Sequence, residues 1–353
     1  MSQQPTRDDA TPVPAERVRD WAVQCLAASG LPHDDAVTLA ASLVQTSLWG
    51  IDSHGVALLP HYMERFANGT IRTRPQLAIQ RSGPATALVE ADQGHGIVVA
   101  HRAMEEAVRI AREQGVGAVG VRNASHCGAI GLYTRAAARA GCVGFAVTHA
   151  DSVAVPHGGQ RAFQGTNPIS FAFPREGHDP VCLDMATTSI PFNRVRNARR
   201  EGHPLPPDTA MDAAGRWTTD ADAAVAVTPL GGREYGHKGY ALALVVDLLC
   251  GPLLGNPYGP HIPSMFKALD QPRRLGAFFI ALDPERFAGG AVLAAQVEAM
   301  ARDLAAEPGA PLMPGDPELA VAARRLRDGL PIEPGLAQQF RTWGARLGVP
   351  APL

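Results

Sequence analysis

Residues 96–115, GIVVAHRAMEEAVRIAREQG, carry apolar positions at helical spacing, with acidic residues balanced by Arg109 and Arg112, and the run GAVGVRN behind them has the composition of a short strand. At their junction Gly115, Gly117 and Gly120 spell G-x-G-x-x-G. In a dinucleotide-binding turn such glycines follow a strand and open a helix, because the pyrophosphate rests on that helix's N-terminus. Here they close a helix and open a strand, so they read as a backbone turn. A Walker loop is absent too: GREYGHKG sets His237 before Lys238 where the Gly-Lys step belongs.

The alternation extends on both sides. ATALVEA reads as a strand, IGLYTRAAARAG as a helix, and VGFAVTHA, PISFAF and PVCLDMA as further strands, which together predict an α/β layer. EGHPLPPDTAMDAAG is a turn-rich excursion, and GHKGYALALVVDLLCGPLLG reads as a buried helix. Ahead of this layer, AERVRDWAVQCLAASG puts Val18, Trp21 and Cys25 on one helical stripe that Gly30 ends, HDDAVTLAASLVQTSLWG repeats the format, and a third helix runs from about Pro60 to Asn68-Gly69. Behind it, PERFAGGAVLAAQVEAMARDLAAE and DPELAVAARRLRDG are helical, with faces suited to the N-terminal helices. The expected organisation is a tail at 1–14, a helical part at 15–75, a central α/β domain at 76–282 and returning helices at 283–353.

With 46% hydrophobic and 19% charged residues, the 353-residue chain has the balance of a folded globular protein. Its 32 basic and 34 acidic residues are interspersed, so no basic stripe offers a surface to nucleic acid. Five cysteines without a C-x-x-C pair argue against a disulfide framework and a zinc ribbon, and fit a reducing cytoplasm. The N-terminus has no apolar export segment, and the longest apolar run, broken by Asp247, is too short for a membrane span. No membrane or metal is expected.

Ser53-His54-Gly55 and Ser125-His126-Cys127-Gly128 each put an imidazole beside a hydroxyl and a glycine at a junction between elements, where chemistry collects. Histidine suits proton transfer near neutrality. There is no G-x-S-x-G elbow for a nucleophile, and no histidine pair at i, i+4 with a carboxylate between them.

Seven blocks then fall in order: SHGVALLPHYMERFANGTI, GVGAVGVRNASHCGAIGLYTRAAARAGCVGFAVTHAD, GTNPISFAFP, LDMATTS, TTDADAA, HKGYALALVVDLLCGPLLG and MPGDPE. Over almost its whole length the chain resembles the malate/L-lactate dehydrogenase family of the second, non-Rossmann type. The HCGAI block, Asp151 and LLGNPYG followed by SMF are most similar to its ureidoglycolate-oxidising branch. The resemblance implies a central mixed-sheet domain, a helical layer from both chain ends, a homodimer or multiple of dimers, and hydride exchange between a nicotinamide cofactor and a small 2-hydroxy or 2-oxo acid. A cyclic-imine reductase and a non-catalytic cofactor-binding protein are the alternatives.

By the same resemblance, His126 is the first choice for proton donor, with His54 as its rival or companion and Asp151 as the group that orients an imidazole. Ser53, Leu58, Tyr62, Ala150 and Arg274 are the implied substrate contacts. Ser125, Asp184, Met185, Ala186, His237, Lys238, Gly239, Gly315, Asp316 and Pro317 are the implied cofactor contacts, with Lys238 suited to a phosphate as a point charge. Where the family commonly reads S-H-G-x-x-R, this chain has Leu58, so a carboxylate clamp is lost there. Arg65 or Arg194 then becomes a candidate replacement. NAD is expected and NADP stays open, because Arg194, Arg196, Arg199 and Arg200 cluster as a 2′-phosphate site would.

Overall fold

The computed structural model describes residues 10–353, so positions 1–9 of the expected tail lie outside the described residues. The rest of that tail is not free chain: Thr11–Val13 (β1) pairs antiparallel with Leu330–Ile332 (β11), joining the two ends. Next come α1 (Ala15–Ala28), α2 (His33–Leu48) and α3 (Leu59–Ala67). The central region runs β2 (Ala78–Gly83), β3 (Thr86–Glu90), α4 (Gly96–Gln114), β4 (Val116–Ala124), α5 (Gly131–Arg139), β5 (Val143–Thr148), β6 (Ile169–Phe173) and β7 (Val181–Met185). After it come α6 (Phe192–Glu201), β8 (Ala210–Asp212), β9 (Ala224–Val227), α7 (Gly232–Cys250), β10 (Leu275–Leu282), α8 (Gly290–Ala306), α9 (Asp316–Asp328) and α10 (Pro334–Leu347).

Seven strands form one mixed sheet in the order β2-β3-β4-β10-β5-β6-β7. Only β3 and β4 are parallel, joined by the α4 crossover; every other pairing is antiparallel. The strand order is not that of a doubly wound fold. Gly115 ends α4 in the left-handed conformation, φ 87°, and a Cβ on Gly117 would run into the Ala107 carbonyl. The glycines therefore bring α4 tightly onto β4, as the helix-then-strand order requires.

The N-terminal helices and α10 share one hydrophobic core with the sheet, in which Trp21 and Phe340 meet at 4.5 Å between ring centroids. Of the C-terminal helices, α9 lies on α2 and α10 on α1 and α3. In contrast, α8 buries only Ala301 and is tied to the far side of the sheet by Arg175–Glu298 at 2.6 Å.

Besides β1, β2, β8, β9, β11 and α10, which the sequence reading left unassigned, three elements differ from expectation. The strand β10 stands at the centre of the sheet, unrecognised because LGAFFIAL follows a charged, proline-bearing stretch and lacks alternation. The charged cluster at 194–200 lies on α6, which with β8, β9, Ile190 and Leu205 builds a small lobe with its own core. Finally, α7 is only half buried: Ala243, Val246 and Asp247 face inward while Leu242, Val245 and Leu248 are 42%, 52% and 50% exposed. With the turn behind it, Gly232–Leu254 is long and apolar enough to cross a membrane by length and composition, longer than the sequence reading allowed; its inner side packs on β5 and β10.

Phe340 is fully buried between the chain ends. Phe340→Ala should lower the unfolding free energy by about 3–5 kcal/mol, measured by urea denaturation.

Candidate functional site

The exit of β4 is fixed by a cap. Ser125 Oγ accepts the Gly96 N–H at 2.9 Å, closing the start of α4, and the next residue, His126, is thereby aimed at α3. Ser125, expected to touch the cofactor, spends its hydroxyl on this cap. From α3, the fully buried Tyr62 sets its hydroxyl 2.7 Å from His126 Nδ1 and meets His95 edge-on at 4.3 Å. The Gly128 N–H points at the same Nδ1 from 3.4 Å, so the tautomer protonated on Nε2 has two donors around its bare nitrogen.

His54 stands opposite, its ring 5.6 Å from that of His126, with Ser53 Oγ 2.8 Å from its Nδ1. Its turn, Asp52–His54, is anchored to α9 by a two-pronged pair between Asp52 and Arg325, at 2.5 and 2.9 Å. Burial pushes His54 below the ordinary histidine range, and His126 well below it, helped there by the charges of His54 and Arg273.

Asp151 does not reach an imidazole. Its carboxylate is taken by the Arg273 guanidinium and by the Met265 N–H at 3.1 Å, so the expected orienting role is replaced by a buried ion pair. Arg274, the expected substrate contact, is exposed, whereas Arg273, its neighbour, is 3% exposed with its Nη1 lacking a hydrogen-bond partner among the described residues. The backbone at Arg274, φ 53°, makes the difference by turning the chain between them. Nor does Arg65 replace the missing clamp: it is buried and spent on the carbonyls of Met265, Ala268 and Gln271. Arg194 is exposed. Leu58 is buried in the core between the layers, and the Ala150 N–H is held by Asn167 at 3.2 Å. Over this region Phe266 bridges His61, at 5.2 Å, to Arg196 of the α6 lobe, at 4.1 Å.

The cofactor segments form two neighbouring groups. Asp184, at the end of β7, accepts the Gly131 N–H at 2.7 Å, and burial raises its carboxyl to about 6. Met185 and Ala186 continue from it with partial exposure. Gly315 lies against Arg135 and the Cys182 backbone, Asp316 reaches Arg175 at 3.4 Å, and Pro317 opens α9. The second group is the start of α7. Gly239 donates to the Leu230 carbonyl at 3.2 Å, and the Leu230 N–H donates to the Thr187 carbonyl at 2.9 Å, so the loop before α7 links that helix to the segment that follows Asp184. His237 and Lys238 are exposed there, and no ion pair among the described residues uses Lys238. An exposed lysine whose ammonium lies 5.4 Å from the Tyr235 ring centroid, beside small residues, suits a dinucleotide phosphate. The α6 arginines suit it less: Arg199 holds the Ala221 and Ala224 carbonyls, and Arg200 pairs with Glu333.

Residues 13–341 match the family model for malate/L-lactate dehydrogenase. The chain belongs to that family. Within the malate/L-lactate dehydrogenase family it is 36% identical to the ureidoglycolate dehydrogenase (NAD(+)) of Escherichia coli O157:H7 over 81% of each chain. It is 35% identical to the (2R)-3-sulfolactate dehydrogenase (NADP(+)) of Chromohalobacter salexigens, over 76% of this chain and 80% of that one. The solved sulfolactate dehydrogenase of Methanocaldococcus jannaschii superposes with a TM-score of 0.90 at 31% identity, covering 97% of this chain and 98% of that one. The helix-bounded mixed sheet is thus the family's architecture.

Sequence reasoning missed Arg273, His61 and His95. A buried arginine beside an exposed one has no separate signature, and neither His61 nor His95 carries a Ser-His-Gly motif to set it apart from the chain's other histidines. Burial pushes His95 down to about 3 and His101 to about 4. Because these folded values lie below the unfolded value near 6.5, their stabilisation is complete above pH 6.5 and lost as pH falls toward 4. Urea unfolding at pH 7 and pH 5 should show stability falling by up to about 1.4 kcal/mol per pH unit for each ring.

Proposed function

We propose that His126 exchanges the proton in this chain's reaction, with His54 orienting the reacting oxygen and Arg273 receiving the substrate carboxylate. The chain is an NAD(P)-dependent oxidoreductase acting on the CH–OH group of a small 2-hydroxy acid. The observation that carries the assignment of roles is the meeting of His126, Tyr62 and His54, on elements distant in sequence, close to a buried guanidinium with an unpaired nitrogen.

The nicotinamide, held by the Asp184–Ala186, His237–Gly239 and Gly315–Pro317 segments, supplies or takes the hydride when bound. The protein's part is the proton. When Tyr62 turns from donating to Nδ1 to accepting from Nδ1–H, Nε2 is the base that takes the alcohol proton, and the imidazolium so formed is the donor that returns it to a developing alkoxide. Tyr62 serves both states because a phenolic hydroxyl both donates and accepts. The neighbouring Arg273 charge favours an anionic oxygen and disfavours a premature imidazolium. One free guanidinium nitrogen at Arg273 matches one carboxylate, and Leu58 supports a less anionic partner on the other side.

A homodimer is part of the proposal. The outer row Leu242, Val245 and Leu248 of α7 and the exposed Phe171 and Leu183 of the sheet supply an apolar face suited to a second copy. Five buried, unbridged cysteines support a reducing, cytoplasmic setting. NAD is favoured over NADP because Arg199 and Arg200 are already engaged.

Nicotinamide absorbance with malate, lactate, sulfolactate, ureidoglycolate and their oxo forms tests the reaction, and Δ1-piperideine-2-carboxylate tests the imine alternative. His126→Asn should cut turnover roughly 10²–10⁴-fold with cofactor affinity kept; an unchanged rate would move the role to His54. Because the His126 ring is held neutral, kcat/KM for alcohol oxidation should stay level as pH falls from 7 through 6.5 and decline only further into acid. An inflection at the ordinary histidine value would contradict the burial-driven shift. Arg273→Lys, which keeps the charge and loses the fork, should raise KM roughly tenfold with a smaller change in kcat.

A further inference from the structure

The central strand β10 does not pair evenly. Leu275 faces Ala124 and Ala277 faces Val121 on β4, so two β4 residues, Arg122 and Asn123, oppose the single Gly276. On the other side the ladder with β5 starts only at Ala277 and Thr148. The Gly276 peptide groups are instead taken by side chains of consecutive residues at the end of β5. Its N–H donates to His149 Nε2 at 2.8 Å, and its carbonyl accepts from Thr148 Oγ1 at 2.8 Å. The backbone passes so close to the end of α7 here that only glycine fits: a Cβ on Gly276 would run into the Cys250 carbonyl.

This irregularity lies three residues from Arg273. Going back along the chain, Gly276 leads to Leu275, to the left-handed Arg274 and then to Arg273, whose guanidinium turns inward to Asp151. His149 is also two residues before Asp151. One buried ring thus fixes the backbone leading to both members of the Asp151–Arg273 pair. Its own orientation is set in turn: with Nε2 accepting, the ring proton sits on Nδ1, which faces Asp247 of α7 at 3.6 Å. Neither Asp247 oxygen has a hydrogen-bond partner among the described residues, so this ring is the polar group that carboxylate faces.

We propose that His149 is a positioning residue for substrate binding: it holds the Gly276 peptide out of the ladder so that Arg273 points into the site, and Asp247 steers its ring. The proposal rests on the role given above to Arg273. Deleting the acceptor leaves a buried N–H unpaired and lets the strand repair its register; Arg273 then leaves Asp151.

The test compares His149→Leu with His149→Gln, whose Oε1 restores an acceptor near the Nε2 position. With pyruvate and oxaloacetate as probes and NADH as reductant, His149→Leu should raise KM about tenfold or more, with kcat changed less and NADH affinity unchanged, while His149→Gln should recover most of the loss. A crystal structure of the leucine variant should show Arg273 displaced from Asp151. If both variants keep the wild-type KM, or the crystal structure keeps Arg273 in place, the proposal is wrong. Equal losses in kcat and KM that His149→Gln does not recover would reduce His149 to a core residue and also overturn it. If the wild-type protein reduces neither probe nor any other oxo acid of the panel above, the functional reading is at fault, and the crystallographic comparison still decides the positioning role. Should His149→Leu not fold, Asp247→Asn replaces it in both measurements, with a smaller rise in KM and a rotated His149 ring expected and an unmoved ring counting against the proposal.

Discussion

The contact between Tyr62 and His126 is where the two halves of the molecule become one site. Tyr62 belongs to the helical layer and His126 to the exit of a sheet strand, 64 positions apart, and their polar atoms meet at 2.7 Å. A hydrogen bond of that length tolerates little relative movement of the layers. The surrounding structure supplies the rigidity: β1 with β11, and Trp21 with Phe340, tie the chain ends together, while the Ser125 cap fixes the strand exit. The helices at both termini therefore hold the Tyr62–His126 contact in place, because without them α3 has no fixed height above the sheet.

Electrostatics follow from the same closure. His54, His61, His95 and His126 lie in surroundings that disfavour a charged ring, and Arg273 adds a positive field to two of them, His61 and His126, besides its own ion pair with Asp151. Neutral bases next to a compensated cation can receive an anionic substrate without a competing imidazolium.

Much of the fold was legible because the signals were local. The periods of α1, α2 and α4, the reversed glycine order at Gly115 and the strand character of β4 and β5 each follow from a single continuous stretch of residues. What escaped was set by partners distant in sequence. The strand β10 becomes central only by inserting between β4 and β5; the 194–200 arginines become a helix only by packing Val195 and Ala198 into the small lobe. In the candidate site, the Ser-His-Gly motifs singled out the two histidines and the resemblance implied Tyr62, and the structure brings the three together; the partner of Asp151 was not legible. Choosing Arg273 over Arg274 needs a backbone dihedral, which no composition or period encodes.

Leu58 then has a consistent place in this arrangement. An arginine at that position would rise from the same turn as His54, on the helical side of the site, whereas Leu58 is built into the core between the layers. Arg273 arrives instead from the sheet side, already bonded to Asp151 and with one buried nitrogen unspent. Moving the cation across the site changes what the helical side can hold: an apolar wall replaces a charged fork, so a second carboxylate placed there would have to give up its hydration without a partner. If Arg273 receives the substrate carboxylate as proposed, the charge arrangement would discriminate among 2-hydroxy acids by how many carboxylates they present. That selectivity would come from the sheet, through the backbone path of β10, with the helical side contributing the exclusion.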